Sequence, residues 1–386
     1  MSPYSFSKTI TYIFAALLIV NCSSSSLTNN TTSENKKIFI HKPDIDYSFN
    51  LFPKEINLIL TDKSTYQQQV SEGFITNYFY YKKNNYFTPK INITNIRLDK
   101  ENPSCSQEIN PSFFTVLIVT EKINEIPNNC NNLIKKIFGI QILTKEAIKF
   151  NNSRLSVFEV KKGKKKIITE FAKKEGKERA IIFEEGNEED LKELTNLWIS
   201  LNGKVLESKT IQERKKSQLL PSSLLINESK NRSKKLQKIT KKVISNIPRS
   251  RQDSDLLFLS TKLPNARNLK PSLEYNYGEK LSVYFIPKWR DKEDYQIKEL
   301  DLEGVIFIDM PWILGLEESM SLSKSVQKNR GFAIGYDSYE LFLLASNRKS
   351  SEYFGLTGKI SFSKSKILRK EILIRVSNGE LIPLGY

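Results

Sequence analysis

Along the body of the chain, short apolar runs of strand length alternate with apolar positions at helical spacing, and that alternation predicts an α/β fold. The run at 56–60 reads as a strand, Ser64 and Thr65 fall in a loop, and Tyr66, Val70, Phe74 and Phe79 lie at near-helical spacing on the helix that follows. Runs at 113–119 and 140–143 predict two more strands, with a short helix at 133–138 between them. The clearest unit lies at 180–207. Residues 180–183 read as a buried strand and Asn187 as a helix cap, and Glu188, Glu189 and Asp190 put acids in the first turn, where the helix dipole favours them. Leu191, Leu194, Trp198 and Leu201 form the apolar stripe, Gly203 stops the helix and Val205 opens the next strand, a βαβ crossover of the parallel-sheet kind.

The alternation continues with Leu236, Ile239, Val243 and Ile247 on one helical face, then strands at 256–259 and 281–286. The end of the chain changes character. Runs at 360–362, 372–376 and 381–384 are extended, and Asn378-Gly379 suits a tight turn, so an antiparallel hairpin is appended to the parallel sheets.

At the N-terminus, Lys8 and the free amine precede an apolar stretch at 10–20, too short to cross a hydrocarbon core of about 30 Å as a helix. Residues 1–21 read as a signal peptide. Leu18-Ile19-Val20-Asn21-Cys22 resembles the bacterial lipobox, although Asn21 stands where a small residue is usual. By that resemblance Cys22 becomes the acylated first residue of the mature chain, and Ser23 after it favours sorting to the outer membrane. The alternative is a secretory segment with an incidental cysteine. Residues 22–53 form a tether, its first part too rich in Ser, Thr and Asn to bury a core.

Length adds a bound. With 386 residues and 39% hydrophobic content, the chain can bury a large core and divide into two lobes. The formal net charge of +17 comes with abundant Asn and Ile beside Lys, a composition that reads as AT-rich coding more than as a nucleic-acid surface. Of the basic runs, the one at 234–242 lies on a predicted helix as its solvated face, and the one at 161–166 opens a helix. Either could instead attract anionic headgroups or an acidic partner. Cys105 and Cys130 would sit in an oxidising compartment, where closing their loop contributes about 3 to 4 kcal/mol by chain entropy; whether they meet is left open by the sequence. Their spacing has no metal-site logic, and the single histidine, His41, reads as structural or solvated.

Four segments in the last third carry a resemblance: RSRQDSDLLFLS at 249–260, GVIFIDMPWIL at 304–314, GYDSYEL at 335–341 and GLTGKISFS at 355–363. In that order and spacing they resemble the C-terminal domain of the LppC family, the LpoA-type outer-membrane lipoproteins that activate penicillin-binding proteins. The opening strand and helix at 56–74 extend the likeness more thinly, so that it covers 54–386. The resemblance implies two doubly wound parallel-sheet lobes of the type I periplasmic binding protein kind, joined by three crossings, with the first near 154–160. It implies one lobe from 54–152 and 305–350, and another from 154–304 and 351–386. It also implies a class A penicillin-binding protein as partner, membrane attachment through the lipid, and no chemistry, cofactor or metal. Larger family members carry a helical-repeat domain first; no such repeat is legible here, and the tether would span only roughly 20 to 35 Å.

Each segment also has a reading of its own. Arg251, Gln252, Asp253 and Asp255 put mixed charge before a buried strand, where paired hydrogen bonds can fix a loop or the charges can stay solvated. In Asp309-Met310-Pro311-Trp312, the proline stiffens the backbone and the tryptophan suits a packed position at a hinge between lobes, the alternative being a contact surface. Gly335 permits close approach beside Tyr336 and Asp337, and Tyr336, Tyr339 and Leu343 share a core-facing side. Enzyme signatures are thin. Ser321-x-x-Lys324 and Ser361-x-x-Lys364 have the spacing of a penicillin-recognising nucleophile, but no Lys-Thr-Gly strand accompanies them. A second function class remains open on the same fold: a solute-binding lipoprotein closing on a small molecule at the strand ends, with Ser64 and Thr65 beside it.

Overall fold

Fifteen strands, β1 to β15 in chain order, pair into two sheets in the computed structural model, which describes residues 42–43, 52–61, 65–84, 86, 88–96, 105, 109–119, 128–143, 154–159, 164–212, 216–243, 245–288, 295, 298–315, 328–347, 350–363 and 366–385. The first sheet runs in the order β11 (Ser351–Gly355), β12 (Gly358–Ser363), β13 (Lys366–Lys370), β5 (Leu155–Glu159), β4 (Phe138–Leu143), β3 (Phe114–Val119), β1 (Glu55–Thr61), β2 (Lys90–Ile96). The second runs β15 (Glu380–Gly385), β14 (Ile372–Ser377), β10 (Ile306–Asp309), β9 (Ser282–Pro287), β8 (Leu256–Thr261), β6 (Arg179–Glu184), β7 (Lys204–Thr210). From β13 to β2 and from β10 to β7 every pairing is parallel. Central strands such as β8 are buried on both faces, which is why they read as continuous apolar runs.

Two helices fill the inner face of the first sheet: α1 (Thr65–Lys83) and a later one, Arg330–Asn347, that becomes α8 after α2 (Asn128–Ile134), α3 (Lys164–Lys174), α4 (Glu188–Ser200), α5 (Lys216–Ser223), α6 (Ile226–Thr240) and α7 (Leu263–Tyr275). Residues 331–344 of α8 are buried on every side, so its sequence shows no polar face. The seam between α1 and α8 is backbone-close: a Cβ on Gly335 would lie 1.9 Å from the Val70 carbonyl oxygen, and one on Gly73 2.0 Å from that of Phe332. Phe74 meets the edge of Tyr339 at 5.3 Å between ring centres, and Tyr66 and Val70 continue the buried stripe. Phe79, expected on that stripe, is 55% exposed; five residues beyond Phe74 it has rotated off the face that Tyr81 retains.

The βαβ unit forms as read: Asn187 Oδ1 accepts from the Asp190 amide at 2.8 Å, Leu194 and Trp198 are buried, and β6 pairs with β7 in parallel. The closing hairpin turns at Asn378 and Gly379, both with positive φ, between antiparallel β14 and β15.

Four expectations need correction. The segment at 154–160, taken as the first crossing, is mostly strand β5, because its backbone pairs in parallel with β4 before the chain leaves. The strand at 306–309, assigned to the first lobe, belongs to the second sheet, where it continues the register of β9 and accepts β14. Conversely 351–370, assigned to the second lobe, extends the first sheet through β13, which pairs with β5. The short helix lies one turn earlier than 133–138, and Phe138 opens β4.

Candidate functional site

Both sheets present the carboxyl ends of their parallel strands to the three connections between them. The first leaves β5 for α3, the second leaves β10 at Asp309 and reaches α8 at Arg330, and the third passes from β13 to β14 through Glu371. In such folds this is where ligands approach.

Ion pairs with buried carboxylates hold these connections. Asp309, fully buried, accepts from Arg330 Nη2 at 2.6 Å and from Tyr295 Oη at 2.9 Å. Burial alone would raise the Asp309 pKa, but the charge and hydrogen bonds of Arg330 overcome it and hold the carboxylate ionised. Glu371 accepts from Arg369 Nη2 at 2.8 Å and pairs with Lys164 Nζ at 3.1 Å. Thus the basic run at 161–166 is not simply exposed: Lys164 pairs across the third connection, and Lys165 bridges Asp190 at 3.3 Å and Glu193 at 2.6 Å.

The 309–314 motif is where the chain passes between sheets. Met310 and Trp312 leave β10 and enter the core of the first lobe. Pro311 begins a 3₁₀ turn that ends at Gly315 in the left-handed region, and the Trp312 amide donates to the Leu356 carbonyl at 3.1 Å. The Trp312 indole stacks on Phe332, with centres 5.2 Å apart. Asp337, on α8, accepts from the Leu356 amide at 2.9 Å, the Thr357 amide at 2.8 Å and Thr357 Oγ1 at 2.6 Å, fixing the β11–β12 turn. Burial nonetheless pushes its pKa up to about 6. Gly335 and Tyr336 lie in the α1–α8 seam, directly before this anchor in the helix.

At the carboxyl ends of β6, β8 and β9 the second sheet is closed by its own charges. Glu184, fully buried, pairs with Lys288, and Lys288 also reaches Asp190 at 3.1 Å. Glu185 takes the Lys262 amide at 3.0 Å, Lys262 Nζ at 2.7 Å, Asn265 Nδ2 at 2.7 Å and the Thr261 hydroxyl. Burial works against its ionised form, yet those donors lower its pKa to about 2. Sequence reading missed this cluster, whose signal was the pair of acids directly after an apolar strand. It also missed Lys42, whose Nζ lies 3.4 Å over the Tyr80 ring and 3.1 Å from Asn77 Oδ1. A groove of about 640 Å³ opens elsewhere, on the flank of the second sheet beside edge strand β7, lined by residues including Lys192, Ser208 and Gln218.

The 249–255 segment lies at the opposite, amino end of β8 and takes no part between the lobes. Arg251 grips Asp253 through two bonds of 2.7 and 2.8 Å, Gln252 donates to the Ser250 carbonyl, and Asp255 accepts from the Arg179 amide at 2.9 Å and its Nη2 at 2.7 Å. These contacts fix the loop and tie β8 to β6. Cys105 and Cys130 form a disulfide with Cα atoms 5.5 Å apart. Cys22, His41 and Ser64 lie outside the described residues, as does the side chain of Thr65. Among the described residues no three His, Cys, Asp or Glu side chains are grouped to hold a metal, and no helix is long and apolar enough to cross a membrane.

Two parallel α/β sheets, three connections and opposed carboxyl ends define the periplasmic-binding-protein class of fold. A substrate-binding protein of an ABC transporter from Sphaerobacter thermophilus superposes with TM-score 0.50 at 9% identity, over 87% of this chain and 97% of that one. The C-domain of LpoA from Haemophilus influenzae, described as a regulator of PBP1A, superposes with TM-score 0.55 at 13% identity, over 86% of this chain and 99% of that domain. A structure of Haemophilus influenzae LpoA gives 0.57 at 13% identity over 90% of this chain, which spans 60% of its length. By sequence, residues 195–374 match the family described as "LppC putative lipoprotein". No curated protein matches it by sequence.

Proposed function

We propose that the chain is a lipid-anchored outer-membrane protein that docks on a class A penicillin-binding protein and stimulates peptidoglycan synthesis, without catalysis of its own. The observation that carries this reading is the LppC match at 195–374, which runs from the middle of α4 to the start of β14 and takes in β7 to β10 and the connections through Trp312 and α8. In this reading Cys22 bears the acyl chains and the tether runs on from it only as far as Lys42, which packs on Tyr80 and Asn77, so the tether expected at 22–53 is shorter. Activation is differential binding: the domain prefers the active conformation of the synthase and shifts its population by that preference.

A second reading, a solute-binding lipoprotein, is favoured by the fold alone. Against it, the strand ends of the second sheet offer Glu184, Lys288, Asp190, Glu185 and Lys262 already paired with one another, so a solute would have to displace internal ion pairs.

The deciding experiment is affinity capture of the full chain from its own detergent-solubilised envelope, with crosslinking and mass spectrometry. Recovery of a class A synthase linked through residues 180–386 is expected; its absence at good yield, with a metabolite raising the melting temperature, would replace this reading by the second.

A further inference from the structure

Helix α6 breaks the rule that buries the apolar stripe of every other long helix. Ile226, at its start, is buried, and the only partly covered positions further along are Ser229, Ser233 and Gln237, which are polar. Leu236 is 52% exposed and Ile239 77%. The helix ends at Thr240 with Lys241 in the left-handed region, and Val243 and Ile247 beyond it are 98% and 70% exposed. The helical face read through Ile247 therefore stops at Thr240, and the apolar side chains expected on it are exposed.

Charge is arranged around that ridge with equal consistency. From Ser229 to Gln252 there is no acidic residue, while Lys230 to Lys242 holds seven cations. None of the seven makes an ion pair with a described residue. At about 3.6 residues per turn, Lys234, Lys235 and Lys238 gather on the side of the helix away from the covered Ser229–Ser233 face.

We propose that α6, together with Val243 and Ile247 beyond it, forms a docking surface for an anionic phospholipid bilayer. Its exposed apolar side chains, Leu236, Ile239, Val243 and Ile247, are aliphatic with no aromatic anchor among them, so it fits a deformable plane in which short apolar side chains sink between headgroups. Six of the seven cations are lysines. Lysine is a point charge that meets phosphates without a fixed geometry, whereas carboxylates on a protein partner are matched by the arginine fork. The surface lies on the second lobe, so binding there orients the domain on the membrane and does not depend on the function proposed above.

The test is hydrogen exchange of the full chain, followed by mass spectrometry, on vesicles of equal parts phosphatidylglycerol and phosphatidylcholine and on vesicles of phosphatidylcholine alone. Amides at 229–243 exchange at least about tenfold more slowly on the anionic vesicles only, and half-molar salt removes the effect. Each cation near an anionic surface is worth about fivefold in binding, so Lys234→Glu/Lys235→Glu/Lys238→Glu weakens it by at least about a hundredfold. Leu236→Ser/Ile239→Ser reduces protection at 236–243 while leaving salt-sensitive attachment. Unchanged protection of β6 and β8 shows that the variants are folded. Equal exchange at 229–243 on both vesicles, or protection that survives charge reversal, overturns the proposal, as does protection that only a protein ligand induces.

Discussion

Asp337 is an ionised-site carboxylate enclosed on all sides, and two opposing effects meet in it. Three donors from Leu356 and Thr357 favour the charged form, while desolvation opposes it and wins, placing the pKa at about 6 against about 3.9 in an unfolded chain. A raised folded pKa means that the native state binds the extra proton between roughly pH 4 and 6; its stabilising contribution is full below about pH 4 and lost as pH rises through about 6. The shift corresponds to about 3 kcal/mol. Relative to Asp337→Asn, wild type should therefore be more favoured at pH 4.5 than at pH 7, as read from urea unfolding at both; a difference that does not change with pH would show that the three donors outweigh burial. Gly335, two residues earlier, tests the seam instead. Alanine there gains about 1 kcal/mol in helix propensity, but its Cβ would meet the Val70 carbonyl at 1.9 Å, and forcing backbones apart costs about 1 to 3 kcal/mol or more. Gly335→Ala should lower the melting temperature despite the propensity gain.

Helix α4 carries Leu191, Leu194 and Trp198, and α6 carries Leu236 and Ile239 with Val243 past its end; the spacings look alike on paper, yet only the first stripe is packed. Leu194→Ala should cost about 2 to 5 kcal/mol, whereas Leu236→Ser/Ile239→Ser should stay within about 0.5 kcal/mol of wild type in chemical denaturation. Spacing alone could not separate them, because periodicity reports that one side of a helix is apolar and says nothing of what lies against it. For the same reason residues 306–309 were assigned to the first lobe and not to the second sheet, since partner choice depends on β9 and β14 elsewhere in the chain. Local chemistry was readable where it is settled locally: the Asn187 cap, the Asn378-Gly379 turn, and the loop fixed by Arg251 and Asp253. The hinge pairs were not, since Asp309 with Arg330 and Lys164 with Glu371 join residues that only the assembled sheets bring together.

Those pairs set what the two lobes can do as one molecule. The activator proposed above would need a defined arrangement of its own docking surfaces, and here the connections are held by buried charge, not by an apolar interface alone. Asp309 is the most committed of these groups: it has no solvent exposure, and its ionised state depends on Arg330. Arg330→Met leaves that carboxylate buried without its cation, which should cost about 3 to 5 kcal/mol, while Asp309→Leu/Arg330→Met removes both charges and should recover much of the loss. The sign of the pH dependence separates charge from packing. Because the folded pKa of Asp309 is lowered, its stabilisation is present at neutral pH and lost as pH falls through that folded value; in Arg330→Met the carboxyl is no longer held down, so acid should relieve part of the defect. Unfolding free energies of wild type, single and double variants at pH 7 and pH 4.5 give the answer: a single-variant deficit equal at both pH values would mean that Arg330 acts by packing, and a deficit that shrinks in acid would place the buried charge pair at the centre of the hinge.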